Sequence, residues 1–229
     1  MDSGNIGFVL LCAAFVFVMT PGLAMFYGGL VRKKNVVNTM MTSIFIIGVG
    51  IVMWVLFGYS LSFAPSGNAF IGDFRWLGLE GVSLTEGYTD GASIPNMVFS
   101  AFQMMFAVIT PALITGAVAG RMKFKSIFVF TIFWSLIVYY PLAHMVWGQG
   151  GLLGADGIGA LDFAGGDVVH ISSGVSALVL CILLGKRHDY EHSIYRIHNI
   201  PTVVLGASLL MFGWFGFNAG SALAADGLA

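Results

Sequence analysis

The run Asp162–Arg187, DFAGGDVVHISSGVSALVLCILLGKR, places an acid, two glycines and a histidine at the mouth of an apolar helix. From Val168 to Gly185 it is uninterrupted by charge. At about 1.5 Å per residue, such a run is long enough to cross a hydrocarbon core of about 30 Å. A histidine inside it needs a reason. An ionisable group at membrane depth is costly and normally faces a cavity or a partner, so His170 reads first as a functional candidate.

The rest of the chain belongs to the same environment. Of its 229 residues, 58% are hydrophobic and 9% charged, with a mean hydropathy of +0.90. Soluble domains carry about 25% charged residues. The composition is that of an all-α polytopic membrane protein. A net charge of −1 argues against a nucleic-acid footprint, which needs Lys and Arg clustered on an exposed face. Cys12 and Cys181 lie in apolar runs, where thiols act as small hydrophobes. Thirty-one glycines among many bulky residues predict close helix approach, with Gly116/Gly120 and Gly216/Gly220 as small-xxx-small pairs.

Hydropathy predicts six spans: Ile6–Tyr27, Thr42–Ser62, Asn96–Ala119, Ser126–Trp147, Val168–Gly185 and Thr202–Ala222. Met1–Gly7 has no basic residue, so the first span reads as a retained helix rather than a signal peptide. Arg32, Lys33, Lys34, Arg121, Lys123, Lys125, Lys186, Arg187 and Arg196 fall in the loops after spans one, three and five. Only Arg75 lies elsewhere. The positive-inside rule then places those loops in the cytoplasm and both ends of the chain outside a cell membrane. The acids are mostly on the other side, Asp189 and Glu191 excepted. Neither long outer loop reads as a separate domain, so residues 1–229 are expected to form a single transmembrane domain with no soluble domain. Pro21, Pro111 and Pro141 fall within spans, where each is expected to free a backbone carbonyl.

Asp162 precedes His170 by eight residues; on a helix that is about 12 Å of rise and about 80° of rotation, so the two do not face each other. Asp162 is expected to accept hydrogen bonds from free N–H groups near Gly165 and Gly166, with direct cation binding as the alternative. Asp167 is expected nearer the water. His170, several residues into the helix, is expected in apolar surroundings that favour a neutral ring, which both donates and accepts a hydrogen bond. His144 near the outer end of span four reads as structural, while His188, His192 and His198 belong to a basic loop. Phe102 and Phe106 share a face of span three, Trp147 ends span four, and WFGFN puts Trp214 and Phe217 on span six. Aromatic faces beside Ser221 would make a cation–π site for a small cation.

DFAGGDVVH, with AHMVWG before it and GWFGFNAGS after it, closely resembles the ammonium transporter family (Amt/MEP, related to Rh proteins). The resemblance extends through PGLAMFYGGLVRKKN and FQMMFAVITPALITG. It implies an outer ammonium recruitment site formed by Trp147, Phe106 and Ser221, with Phe102 nearby and Asp162 as the supporting acid. It further implies a gate of Phe106 and Phe217, and His170 as the first of two pore histidines. The family resembles two inverted five-helix repeats plus a last helix. Six spans are thus expected to correspond to the first repeat plus one helix of an eleven-helix fold, with the second histidine and the far wall of the pore in the other half. The implied partners are ammonium or ammonia, the lipid bilayer, two further copies in a homotrimer, and a PII-type cytoplasmic regulator. No cofactor, metal or enzymatic activity is expected.

An ion in a low-dielectric pore faces a large desolvation cost. Ammonium escapes it by losing a proton and crossing as ammonia, whereas potassium cannot. Two rival readings use the same residues: an ammonium sensor coupled to a signalling domain, and a membrane redox protein with His144 and His170 as haem ligands.

Overall fold

The computed structural model describes residues 1–65, 68–155, 157–188, 190–191 and 194–229. Asp189 and His192, assigned above to a basic loop, lie outside the described residues. The described residues form helices and no strand. Six helices are long and apolar enough to cross a membrane: α1 (Ser3–Leu30), α2 (Lys33–Phe63), α3 (Asn96–Val118), α4 (Phe124–Trp147), α5 (Gly166–Leu184) and α6 (Ile200–Gly220). Two starts are written in the sequence as caps. Asp2 Oδ1 accepts from Asn5 N at 2.8 Å, and Asn199 Oδ1 accepts from Thr202 N at 3.1 Å with Pro201 in the first turn.

The second span differs from expectation, because α2 begins at Lys33, nine residues before Thr42. Asn38, Thr39, Thr42 and Ser43 depress the local hydropathy, yet Thr39, Thr42 and Ser43 are buried. Thr42 Oγ1 donates to Asn38 O at 2.7 Å, and Ser43 Oγ lies 3.4 Å from Thr115 Oγ1 of α3. The Thr42 and Ser43 hydroxyls find partners inside the bundle while that of Thr39 is buried without one, and residues 33–41, which read as loop, are helical.

The prolines behave differently from one another. Helices α1 and α3 run unbroken through Pro21 and Pro111. Regular winding is lost instead at three π turns, Trp54–Gly58 in α2, Ser135–Tyr139 in α4 and Gly166–Ile171 at the start of α5. The second directly precedes Pro141, where a wider turn relieves the clash of the proline ring with the carbonyl four residues back.

Helix α1 lies along α6, and also packs on α2 and α3; α3 is the most buried span and additionally meets α5. The α1–α6 seam is made by glycine. A Cβ on Gly206 would stand 2.3 Å from Phe26 N and 2.6 Å from Gly22 O, and one on Gly216 would stand 2.6 Å from Cys12 O. The two backbones are in contact there, as the Gly216/Gly220 pair predicts. The other pair is a correction. Gly116 packs under the ring of Tyr27, and Gly120 sits beyond the end of α3 with φ +71°, so it ends a helix rather than joining two.

The three basic loops gather at one end. Tyr195 takes the guanidinium groups of Arg187 at 4.3 Å and Arg32 at 5.0 Å from its ring centroid, and its hydroxyl donates to Leu30 O. Arg121 donates to Ala117 O of α3 and to Gly185 O just past α5, so one side chain closes two helix ends. At the opposite end Arg75 pairs with Asp73 at 2.7 Å, and that guanidinium holds the Asp73 carboxyl below its usual range.

Replacing Gly206 by Ala forces α1 from α6 and is expected to lower stability by about 1–3 kcal/mol, as overpacking does. Gly7, with nothing within 4 Å of its would-be Cβ, supplies the control: thermal unfolding in detergent should report a lowered midpoint for Gly206→Ala and none for Gly7→Ala.

Candidate functional site

The site is built on the start of α5. Asp162 is not on that helix, which corrects the helical spacing assumed between it and His170; it precedes the first turn and folds back over it. Its Oδ1 accepts from Gly165 N at 2.5 Å and Gly166 N at 2.8 Å, and its Oδ2 from Asp167 N at 2.8 Å and Val168 N at 3.0 Å. The next two N–H groups, of Val169 and His170, both donate to Gly165 O at 3.0 Å. Every orphan donor of the first turn thus has a partner. Gly165 makes the reversal with φ +99°, and a Cβ there would meet Val169 Cγ2 at 2.7 Å. A carboxylate at a helix N-terminus also gains from the helix dipole.

The cap carries a second job. Trp147 Nε1, at the end of α4, donates to the backbone carbonyl of Asp162 at 2.9 Å, so one residue positions both the α5 turn and the indole. In front of that indole lies a cavity of about 400 Å³ lined by Trp147, Phe106, Ser221, Asp162, Gln103 and Tyr88, among others. Five elements contribute: the C-terminal ends of α4 and α6, the outer part of α3, the loop after α2 and the loop before α5. The hydroxyl of Ser221 donates to Phe217 O at 2.8 Å, so only its lone pairs face outward. Tyr88 is neutral here, because burial pushes its phenol up to about 12. Asp162 is the only acid among the lining residues.

Beneath the cavity the rings stand in a row. Phe106 meets Trp147 edge-on, with ring centroids 6.1 Å apart. Phe106 and Phe217, both buried, lie 4.4 Å apart at 36°. His170 follows, 5.8 Å from Phe217 and 6.4 Å from Trp214. A shallower cavity of about 290 Å³ opens on the far side of the phenylalanine pair, lined by Phe217, His170, Trp214, Asn218 and Asp167. Phe106 lines only the first cavity and Phe217 only the second. The pair stands between them, and Asp162 and Phe163 border both.

Phe102 is brought near but does not line the first cavity; it is buried, edge-on to Phe106 at 5.0 Å, and its ring fills the space beside Gly220. His170 leaves part of its surface exposed. Trp214 and Phe217 cover one side of the imidazole, and among the described residues none is recorded against the other; the neighbouring face of α5, with Ile171, Val175 and Leu178, is itself bare. His144, as read, is structural. It is fully buried, with Nδ1 3.1 Å from Ser62 O and Nε2 2.8 Å from Asn68 O, which ties α4 to the end of α2. Fully buried between two backbone carbonyls, to only one of which a neutral ring donates, it lines neither cavity. Among the described residues no group of three or more His, Cys, Asp or Glu is placed to hold a metal.

Sequence reasoning passed over Gln103 and Tyr88. Gln103 carries a signal, since it is an amide in the apolar span that holds Phe102 and Phe106. Tyr88 comes from a long loop with no periodicity; it reaches the cavity because its ring stacks on Phe99 at 4.7 Å and 3° and Gln149 Nε2 donates to its carbonyl.

The fold and the site define a polytopic α-helical membrane protein with an aromatic-walled vestibule above a phenylalanine pair and a histidine. Residues 7–229 match the model of the Ammonium Transporter Family, and the chain belongs to that family. It is 53% identical over 230 residues to an ammonium transporter of Bacillus subtilis, covering 100% of this chain and 55% of that one. Among solved structures it resembles Mep2 of Saccharomyces cerevisiae, with a TM-score of 0.87 and 38% identity over 98% of this chain and 50% of that one. It also resembles a sensor Amt protein, with a TM-score of 0.84 and 29% identity over 98% of this chain and 56% of that one. The chain spans about half the length of the relatives it matches.

Asp162→Ala removes the cap from four N–H groups and is expected to destabilise the start of α5 by about 2 kcal/mol, the upper end for an N-cap. Hydrogen exchange should speed up selectively at Gly165–Val168, whereas the main-chain carbonyl of residue 162 that accepts from the Trp147 indole is retained in the variant.

Proposed function

We propose that this chain forms the outer site and one wall of an ammonium-conducting pore. Ammonium binds in the vestibule against the π faces of Trp147 and Phe106, with Phe102 behind them, the lone pairs of Ser221 beside it and the negative potential of Asp162 at the rim. Phe106 and Phe217 act as the gate. An unpaired cation cannot enter an apolar passage without a cost of tens of kcal/mol, whereas a group that sheds its charge can. Ammonium gives up its proton to water in the vestibule above the gate, and ammonia passes to His170, whose imidazole exchanges hydrogen bonds with it.

The observation that carries this reading is the order of rings from vestibule to histidine: Trp147, Phe106, Phe217, His170, at successive centroid distances of 6.1, 4.4 and 5.8 Å. The bare side of His170 supports a second wall, contributed by the other half of a full-length transporter and carrying the second histidine. Residues 1–229 act as a single transmembrane domain with no soluble domain of its own. The gathering of the basic loops at the end away from the vestibule supports a cytoplasmic basic face, an N-terminus outside and a place in the cell membrane. Exposed apolar faces on α2 and α4, including Val52, Leu56, Phe133 and Ile137, suit lipid or two further copies in a homotrimer. The basic face is where a PII-type regulator would dock.

A sensor shares the vestibule, as the likeness to a sensor Amt protein illustrates, and differs in passing no flux. In proteoliposomes of the complete gene product, His170→Ala is expected to cut ammonium flux, or its discrimination against potassium, at least about tenfold, a 1.4 kcal/mol change in the barrier. Unchanged flux and discrimination would overturn the role of His170. Saturable ammonium binding without any flux in the unmodified protein would select the sensor.

A further inference from the structure

The polar groups around the vestibule are nearly all committed. Both Asp162 oxygens are filled by backbone N–H groups, the Trp147 N–H by a carbonyl, the Ser221 hydrogen by Phe217 O, and the Tyr88 hydroxyl accepts from Gln149 N. Gln103 is the buried exception. Its side chain lines the cavity, the residue is 9% exposed, and its Oε1 is buried with no hydrogen-bond partner. A buried amide left unpaired is destabilising, and a leucine of similar size would avoid that cost. Gln103 stands three residues before Phe106, on the same face of α3. Its terminal torsion is soft, so the amide oxygen turns toward the cavity without leaving a rotamer well.

Resting on the vestibule reading above, we infer that Gln103 is a further ligand of the transported cation, its amide oxygen accepting one N–H of bound ammonium. The chemistry follows from what the cavity presents. Ser221 offers lone pairs only, and Gln103 adds a second neutral acceptor, so the site holds two directed acceptors beside two π faces. A tetrahedral N–H cation satisfies both acceptors while its remaining N–H groups face rings or water. A bare alkali cation has no hydrogens to direct, and two oxygens fall far short of the shell that replaces its hydration. Gln103 thereby contributes selectivity as well as affinity. Replacing one N–H by a methyl group leaves fewer donors, so methylammonium is penalised less severely than potassium.

The test compares Gln103→Leu and Gln103→Glu with Ser221→Ala and Trp147→Leu in proteoliposomes of the complete gene product, using ammonium, methylammonium and potassium as probes. Gln103→Leu is expected to raise the half-saturating ammonium concentration about tenfold, the worth of a hydrogen bond to a charged group, and to narrow ammonium/potassium discrimination. Gln103→Glu, which keeps an acceptor, should bind ammonium at least as tightly as the unmodified protein. Thermal unfolding without ammonium separates ligation from folding: Gln103→Leu should melt no lower than the unmodified protein, since it removes an unpaired amide, and should lose the rise in melting temperature that ammonium confers. If Ser221→Ala and Trp147→Leu weaken ammonium and Gln103→Leu does not, the inference about Gln103 fails and the vestibule stands. If none of the three shifts half-saturation, the vestibule reading itself fails.

Discussion

Four successive N–H groups, from Gly165 to Val168, open α5 without carbonyl partners of their own, and the carboxylate of Asp162 takes all four. A helix that starts beside a cavity must find such partners or leave its donors unpaired in a poorly hydrated place. The carboxylate solves this with two oxygens, and the backbone carbonyl of the same residue holds the Trp147 indole. The placement of Trp147 and of the α5 entrance therefore depends on one residue. Each of its oxygens already accepts two backbone N–H groups.

The second constraint is the glycine seam. With α1 and α6 in backbone contact at Gly206 and Gly216, α6 sits close enough to α3 for Phe217 to reach Phe106 at 4.4 Å. Bulkier residues in the seam would widen that gap. Gly220 makes the link explicit, because the space its missing Cβ leaves is occupied both by Cys12 and by the ring of Phe102. Close packing far from the cavity thus sets the ring spacing within it.

The π turns belong to the same logic. In α2 and α4 they face one another through the ring of Tyr140, which packs on Trp54 and Phe57 and fills the space over Gly58. In α5 the π turn spans Gly166–Ile171 and includes His170. A local change of pitch re-aims the side chains that follow it, and here it accompanies the histidine that stands beside Phe217.

Composition and periodicity alone determined that the chain is a helical membrane bundle with six spans, because twenty-residue apolar runs have few other stable forms in lipid. They also exposed the cap: an acid three and four residues before a glycine pair at a helix mouth has one common use. What they misjudged were positions where neighbours, not the local run, supply the partners. Asn38 and Thr39 read as loop because polar side chains look wet, whereas they lie on α2, where Thr39 is buried and Asn38 O accepts from Thr42 Oγ1. Gly120 read as a contact and proved to be a helix end. Tyr88 and Gln103 enter the vestibule only through tertiary placement, from a loop without pattern and from a face that periodicity does not orient. His170 was legible as a histidine that needs a partner, but its bare side was not, since exposure is a property of the packed surface. Local sequence sets which groups need satisfying; only the packed bundle decides which atoms satisfy them and which are left facing the cavity.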